Sequence, residues 1–393
     1  MANPLKTSAD KVLRPDAAEA GRQYLRYVLP LGIAFGFGHT AHGEDQVAYG
    51  YESYIEDNNR MTVDTQSAYF EQKLINSVTV KGELTYDSIS GSTPTGTYRI
   101  SPTSGLIRTT TVNDIRRAMN VALDCQAGAQ TLTPGFAYSD ESDYRSYGIS
   151  LNDAIAFNKK NTILQLGASH NFDSVLNDVI GAPTRVWQQK QSMEGLVGIT
   201  QLLSPKTILS ADLTLGYESG FLNDPYRLTE FVYPGHQLGV VRNERRPSYL
   251  FKQTLLASIT QHVDPLNASL VASYRFYHDS YDIYANTVSL TWNQWVGKHL
   301  IVAPAFRFYE QSSASFYEPL FYQNPANVSQ YSSDYRLSEF YSFDAGVQIT
   351  VIVNSHLHIN MGYHRYEMHG LDDTVEAMYP KANVYTIGLS LLW

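Results

Sequence analysis

The chain has 393 residues, a formal net charge of −9 and 17% charged residues, against roughly 25% in a soluble globular domain. Its mean hydropathy of −0.26 argues against a bundle of membrane helices, each of which needs about 20 consecutive apolar residues. The acidic balance, with no clustered Lys/Arg stripe, speaks against nucleic-acid binding. The single cysteine, Cys125, excludes an intrachain disulfide and a Cys-based zinc site.

Residues 1–43 read as a signal peptide with an extended n-region. Arg22 and Arg26 precede the apolar stretch Tyr27–Phe37 (YVLPLGIAFGF), and Ala41-His42-Gly43 offers the small residues a signal peptidase needs. That stretch is too short to span a bilayer. The hydrophilic lead Met1–Ala20 is long for such a signal; an upstream start codon would also produce it. Residues 44–393 are then the exported protein.

In this second part, apolar and polar residues alternate. Leu209, Ala211, Leu213, Leu215 and Tyr217 share one face, against Ser210, Asp212, Thr214 and Gly216. Tyr341, Phe343, Ala345, Val347, Ile349 and Val351 oppose Ser342, Asp344, Gly346, Gln348 and Thr350. Tyr385, Ile387, Leu389, Leu391 and Trp393 oppose Thr386, Gly388 and Ser390. Period two means a strand, and one apolar face means a strand with one side in lipid and the other in water. An aspartate inside a strand is normally disfavoured; here it faces water. A terminal aromatic residue on such a strand looks like an outer-membrane insertion signal.

The connections alternate in length. Short turns are expected at 74–76, 127–129, 158–161, 204–206, 264–267, 297–298 and 353–355. Long ones are expected at 88–113, 174–189, 220–247, 313–333 and 370–378, with tighter ones near 58–59, 140–142 and 278–281. Short periplasmic turns alternating with longer external loops characterise an all-β, transmembrane, antiparallel up-and-down barrel, and the count comes to about 16 strands, with 14 to 18 compatible. Alternation is poorest near 62–73, 114–126 and 190–203.

Three segments carry a resemblance: Thr131–Ser139 (TLTPGFAYS) followed by Asp143, Tyr144 and Ser146; Tyr54–Arg60 (YIEDNNR); and Asp87–Ser92 (DSISGS). Together they resemble a family of uncharacterised, porin-like bacterial outer-membrane proteins, a domain of unknown function, over the whole exported chain. The resemblance implies an outer-membrane barrel and names no substrate.

A barrel of this size leaves an aqueous lumen, so the candidate residues are those of its inner wall. Tyr274-Arg275-Phe276-Tyr277 and Phe306-Arg307-Phe308-Tyr309 repeat one motif at equal height, placing Arg275 and Arg307 in the lumen, where charge sets selectivity. The competing reading pairs them with neighbours such as Glu310 or Asp344. Glu83, Asp212, Glu218 and Asp344 are acidic positions on inner faces. Arg242, Arg245 and Arg246 cluster in loop 220–247; they face the acidic wall if the loop folds inward, and lipopolysaccharide phosphates if it does not. His356, His358 and His364 share a strand face, but no matching carboxylate or cysteine accompanies them. His358 and His364 are therefore read as pore-lining, with no metal and no cofactor.

The expected function is a porin-like channel for small hydrophilic solutes in the cell outer membrane. The alternatives are a scaffold housing or docking a periplasmic electron-transfer or export partner, and a barrel-wall lipid hydrolase, for which no nucleophile–base pattern is visible. Expected partners are outer-membrane lipid and lipopolysaccharide, the barrel-assembly machinery and a periplasmic protein.

Overall fold

The computed structural model describes residues 45–101, 104–177 and 185–393; the expected signal peptide lies outside them. Eighteen strands follow in chain order. Six come first: β1 (Gln46–Glu56), β2 (Met61–Ile75), β3 (Val78–Ser101), β4 (Ser104–Ala127), β5 (Gln130–Asp140) and β6 (Tyr144–Phe157). The middle of the chain gives β7 (Thr162–Asn177), β8 (Val186–Ser204), β9 (Thr207–Gly220), β10 (Leu228–Tyr233), β11 (His236–Asn243) and β12 (Tyr249–Val263). The last six are β13 (Ala268–Asp279), β14 (Tyr284–Val296), β15 (Leu300–Gln311), β16 (Phe340–Ile352), β17 (Leu357–Gly370) and β18 (Lys381–Leu392).

Sixteen of them close into one barrel in which each strand pairs with its sequence neighbours, β9 pairs with β12, and β1 pairs with β18 to close the wall. The remaining two, β10 and β11, form a separate hairpin. Closure is what makes such a wall possible in lipid. Within the cylinder each strand is paired on both sides, so that the wall's backbone amides and carbonyls are satisfied by neighbouring strands and the cylinder has no open edge.

The alternating faces fall as expected. Leu209, Leu213, Leu215 and Tyr217 are exposed on the outside, while Asp212 and Glu218 are buried inside. Tyr385, Ile387, Leu389 and Leu391 face out, and Thr386 and Ser390 face in. An apolar exterior around a polar interior, on a closed antiparallel wall, is the architecture of an outer-membrane barrel.

All seven expected short turns fall where strands end, at one mouth of the barrel. Asn158, Lys159, Lys160 and Asn267 take left-handed backbone conformations there, which asparagine tolerates better than most residues. That mouth is periplasmic, and the longer connections lie at the external one.

Two expected loops are shorter than the sequence indicates. Residues 88–113 are mostly ladder, because β3 and β4 stay paired out to Ser101 and Ser104. Of residues 174–189, 174–177 belong to β7 and 186–189 to β8, and 178–184 lie outside the described residues. In 88–113 Ser, Thr, Gly and Pro signal a loop, but backbone pairing with the adjacent strand satisfies the same amides whatever the side chains.

Candidate functional site in the lumen

The external mouth is packed shut by its own loops. Loop 312–339 crosses it. Tyr335, fully buried, packs with Tyr54, Met61, Val63 and Ile89 of β1–β3 and with Tyr366, Met368 and Val384 of β17 and β18. Two residues on, Leu337 packs with Leu250, Tyr277 and Ala285 of β12–β14, together with Phe316, Tyr317 and Leu222. Tyr309 of β15 touches both clusters. The plug therefore meets the wall on several sides.

Loop 221–248 enters beside it. Phe231 of β10, fully buried, packs against the tilted Phe321 ring and edge-to-face with Tyr331 of loop 312–339, and the two loops share backbone bridges at Phe231–Phe321 and Arg245–Tyr331. The paired β3–β4 arm reaches over the same hairpin. A β-carbon at Gly96 would overlap the Leu228 carbonyl oxygen, so only glycine permits that approach.

Six buried charges tie the two loops together. Arg246 Nε lies 2.7 Å from Glu244 and its Nη2 2.7 Å from Asp334. Arg336 holds Asp224 at 2.6 Å and Asp334 at 2.5 Å. Arg227 lies 3.2 Å from Asp224 and 3.5 Å from Asp334, and its guanidinium also covers the Tyr335 ring. Ser332 donates to Glu244 at 2.6 Å. Three arginines thus balance three carboxylates out of water. Burial alone would raise the Asp334 carboxyl, but Arg336, Arg227 and Arg246 hold it well below the usual carboxylate range. Burial pushes Glu244 up despite the pull of Arg246. Burial likewise pushes the Tyr379 hydroxyl, at the plug edge, up to about 12.

The three loop arginines of the sequence reading therefore part company. Arg246 is a buried tie within the plug, while Arg242 and Arg245 are exposed. Arg242 lies on the β11 hairpin and Arg245 contributes a backbone pair to Tyr331. Spacing in sequence cannot foresee this split, because adjacent residues of an irregular loop point in unrelated directions.

Beneath the plug lies the polar wall. Glu83 faces inward from β3, half-buried, opposite Tyr69 and Asn120. Asp212, buried, leans towards Gly198 of β8, where a β-carbon would meet its carboxylate. Glu218 is held by Lys252 at 2.7 Å and Lys190 at 3.1 Å, and Lys252 also reaches Glu194 at 3.0 Å. Asp87 pairs with Arg116. Asp344 accepts a hydrogen bond from His364 Nδ1 at 2.9 Å. Gly346 stands opposite His364, and a β-carbon there would overlap the imidazole, so the ring lies across β16 because glycine is there. His358 faces in near the periplasmic end of β17, opposite Ser390. His356 is in the turn before β17, with Nδ1 against the Leu392 carbonyl; the expected face of three histidines reduces to two.

Arg275 and Arg307 are each the eighth residue of their strand, β13 and β15, and so stand at equal height. Tyr274 and Phe306 beside them are exposed on the lipid face, which turns both arginines inward. Neither makes an ion pair within 4.0 Å among the described residues: Asp344, directly across from Arg307, is engaged with His364, and Glu310 hydrogen-bonds Asn286. Arg307 instead leans over the Tyr309 ring, 5.8 Å from its centroid. The sequence reading missed a row of hydroxyls that begins beside Arg307. Ser289, Ser273, Ser258, Ser210 and Thr200 stand directly opposite one another across β14, β13, β12, β9 and β8. The row descends towards the periplasmic mouth, and Ser210 and Ser258 are 2.6 Å apart. Each serine was visible as an inward residue, but their alignment depends on register.

Over residues 37–386 the sequence matches the family described as Protein of unknown function (DUF3570). The chain belongs to that family. No curated protein matches it. Among solved structures, CdiB from Acinetobacter baumannii is similar with a TM-score of 0.51 and 8% identity, over 88% of this chain and 60% of that one. The siderophore receptor PirA from Pseudomonas aeruginosa gives 0.43 and 10%, over 89% of this chain and 62% of that one. A bacterial polysaccharide outer membrane secretin gives 0.47 and 8%, over 90% and 99%. The chain thus spans less than two thirds of the length of PirA and CdiB, and the likeness is one of fold.

Proposed function

We propose that the protein is an outer-membrane channel for small hydrophilic solutes whose external mouth is held shut by its own loops. The observation that carries this reading is the division of the lumen. Above the level of Arg275 and Arg307 it is filled by apolar clusters and the buried charge network. Below that level the inner wall is lined by half-buried hydroxyls such as Thr131, Thr133, Ser258 and Thr260. A sixteen-strand wall is too wide for its own side chains to fill, and the short periplasmic turns are too short to reach across. Solute has access to the half-buried Arg275, Arg307, Glu83 and His358 from the periplasmic side, while Asp212, Asp344 and His364 lie buried behind them in the wall; passage requires loops 221–248 and 312–339 to move.

The test is single-channel recording in planar bilayers, comparing the wild type with a variant lacking residues 313–333. Rare or small openings are expected of the wild type and sustained steps of the deletion variant. A deletion variant that inserts, runs as a folded barrel on an unboiled gel and stays silent would sink the channel reading. The same closure favours a second reading, in which the periplasmically open lumen holds a periplasmic protein. Stable co-purification of such a protein with the barrel, lost when bulky residues are placed at Thr133 and Thr260, would support it.

A further inference from the structure

Arg275 and Arg307 stand two strands apart, on β13 and β15, with β14 between them, and their partners on β14 are two residues apart; their backbones are therefore about 12 Å apart. The residues of β14 that fill the gap on the inner face are Thr287, directly opposite Arg275, and Ser289, directly opposite Arg307. Ser273, on β13, stands opposite Ser289. The patch thus consists of two guanidinium groups and three hydroxyls, and neither neighbouring carboxylate forms an ion pair with either arginine, although Asp344 stands directly across from Arg307. Asp344 is hydrogen-bonded to His364, and Asp212, in the same cross-strand row as Arg275 through Leu256, leans away towards β8. Two residues further up each strand, Tyr277 and Tyr309 belong to the underside of the plug, so the patch has an aromatic roof.

We propose that this patch is an oxyanion site, and that the solutes the channel takes are small carboxylates or phosphates; the inference rests on the channel reading above. A guanidinium presents parallel N–H donors that match two oxygens of a carboxylate or phosphate. Two of them facing a shared gap, with hydroxyls between, offer donors on several sides of one anion. A low-dielectric roof strengthens each of those contacts relative to water. The hydroxyl row from Ser289 to Thr200 continues the donor surface downward, giving the anion successive partners of lower charge. A track of that kind binds strongly enough to admit an ion and weakly enough to release it.

The experiment uses the full-length protein in detergent at low ionic strength, with inorganic phosphate and succinate as separate probes in isothermal titration and chloride as the control anion. Saturable binding of at least one probe is expected, weakened about tenfold or more in R275Q/R307Q and by less in R275K/R307K, since lysine keeps the charge and loses the fork. Which probe binds more tightly distinguishes phosphate from carboxylate solutes. All variants are checked for the folded migration of an unboiled barrel. If the glutamine pair does not fold, the lysine pair carries the test, and binding equal to the wild type overturns the proposal. Absence of saturable binding of both probes overturns it too. The titration does not depend on current: binding to a barrel that stays silent after loop deletion removes the channel and leaves the site. Conductance without anion binding removes the site and leaves the channel.

Discussion

Asp334 is the residue on which most of the plug's charge network converges, accepting from Arg246 at 2.7 Å and Arg336 at 2.5 Å with Arg227 at 3.5 Å. Removing one partner of a buried ion pair leaves the other charge uncompensated, at a cost of about 3–5 kcal/mol. Asp334→Asn is therefore expected to unseat loop 312–339 while leaving the barrel wall intact, seen as faster proteolysis within residues 312–339 and as more frequent channel openings. The pH response follows from the same groups. The Asp334 carboxyl is held low in the folded state, so its contribution is present above its unfolded pKa and is lost only as pH falls through the depressed folded value. Glu244 is raised, so its contribution is greatest when protonated and declines as pH rises through its folded pKa. On acidification Glu244 takes up its proton first, and the arginine contacts of Asp334 persist. Loop protection against protease is thus expected to hold from about pH 8 to about pH 5; release of the loops within that window would show that other groups govern the plug.

The β3–β4 arm shows what an element does beyond its share of the wall. Its lower half is barrel, and its upper half leaves the cylinder to lie against β10 and β11 over the external mouth. Thr93 and Thr95 are buried there, and Thr93 receives Arg227 at 3.4 Å. Replacing Gly96 by valine places a branched side chain against the Leu228 carbonyl and is expected to cost about 1–3 kcal/mol, the range for overpacking a close contact. The loss should appear as faster amide exchange in residues 228–243, with exchange in β5–β7 unchanged; uniform acceleration throughout the barrel would contradict the assignment of this arm to the plug. Its composition, GSTPTGT at 91–97, explains why the sequence reads as a loop. Turn-forming residues report what a segment tolerates, whereas the strand is imposed by its partner.

At the scale of the molecule, wall and plug are separable. The wall closes through β1 against β18 and through pairing of successive strands; residues 313–333 lie within the β15–β16 connection and contribute no pair to its ladder, which runs from Leu300–Val351 to Gln311–Phe340. Deleting that segment is therefore expected to lower the unfolding midpoint, because the packing of Tyr335 and Leu337 loses its support, without abolishing the heat-modifiable gel shift of a folded barrel. Loss of the shift would mean that the plug is needed for closure.

Much of this architecture is legible in the chain by itself. Period-two alternation at 209–217, 341–351 and 385–393, with short and long connections in turn, leads to sixteen strands and to an inward direction for Asp212, Arg275, Arg307, Asp344 and His364. Those conclusions follow because a strand's geometry is local: parity alone decides which side a residue faces. The plug is not legible, because Arg227, Glu244, Arg246, Asp334 and Arg336 meet only when two irregular loops 88–112 residues apart in contact fold into the same mouth. Nor is the pairing of Asp344 with His364, or the row of hydroxyls beside Arg307, which require the register between strands. Parity assigned the faces of the wall; tertiary packing decided which inward charges are already engaged and left Arg275 and Arg307 side by side beneath a closed mouth.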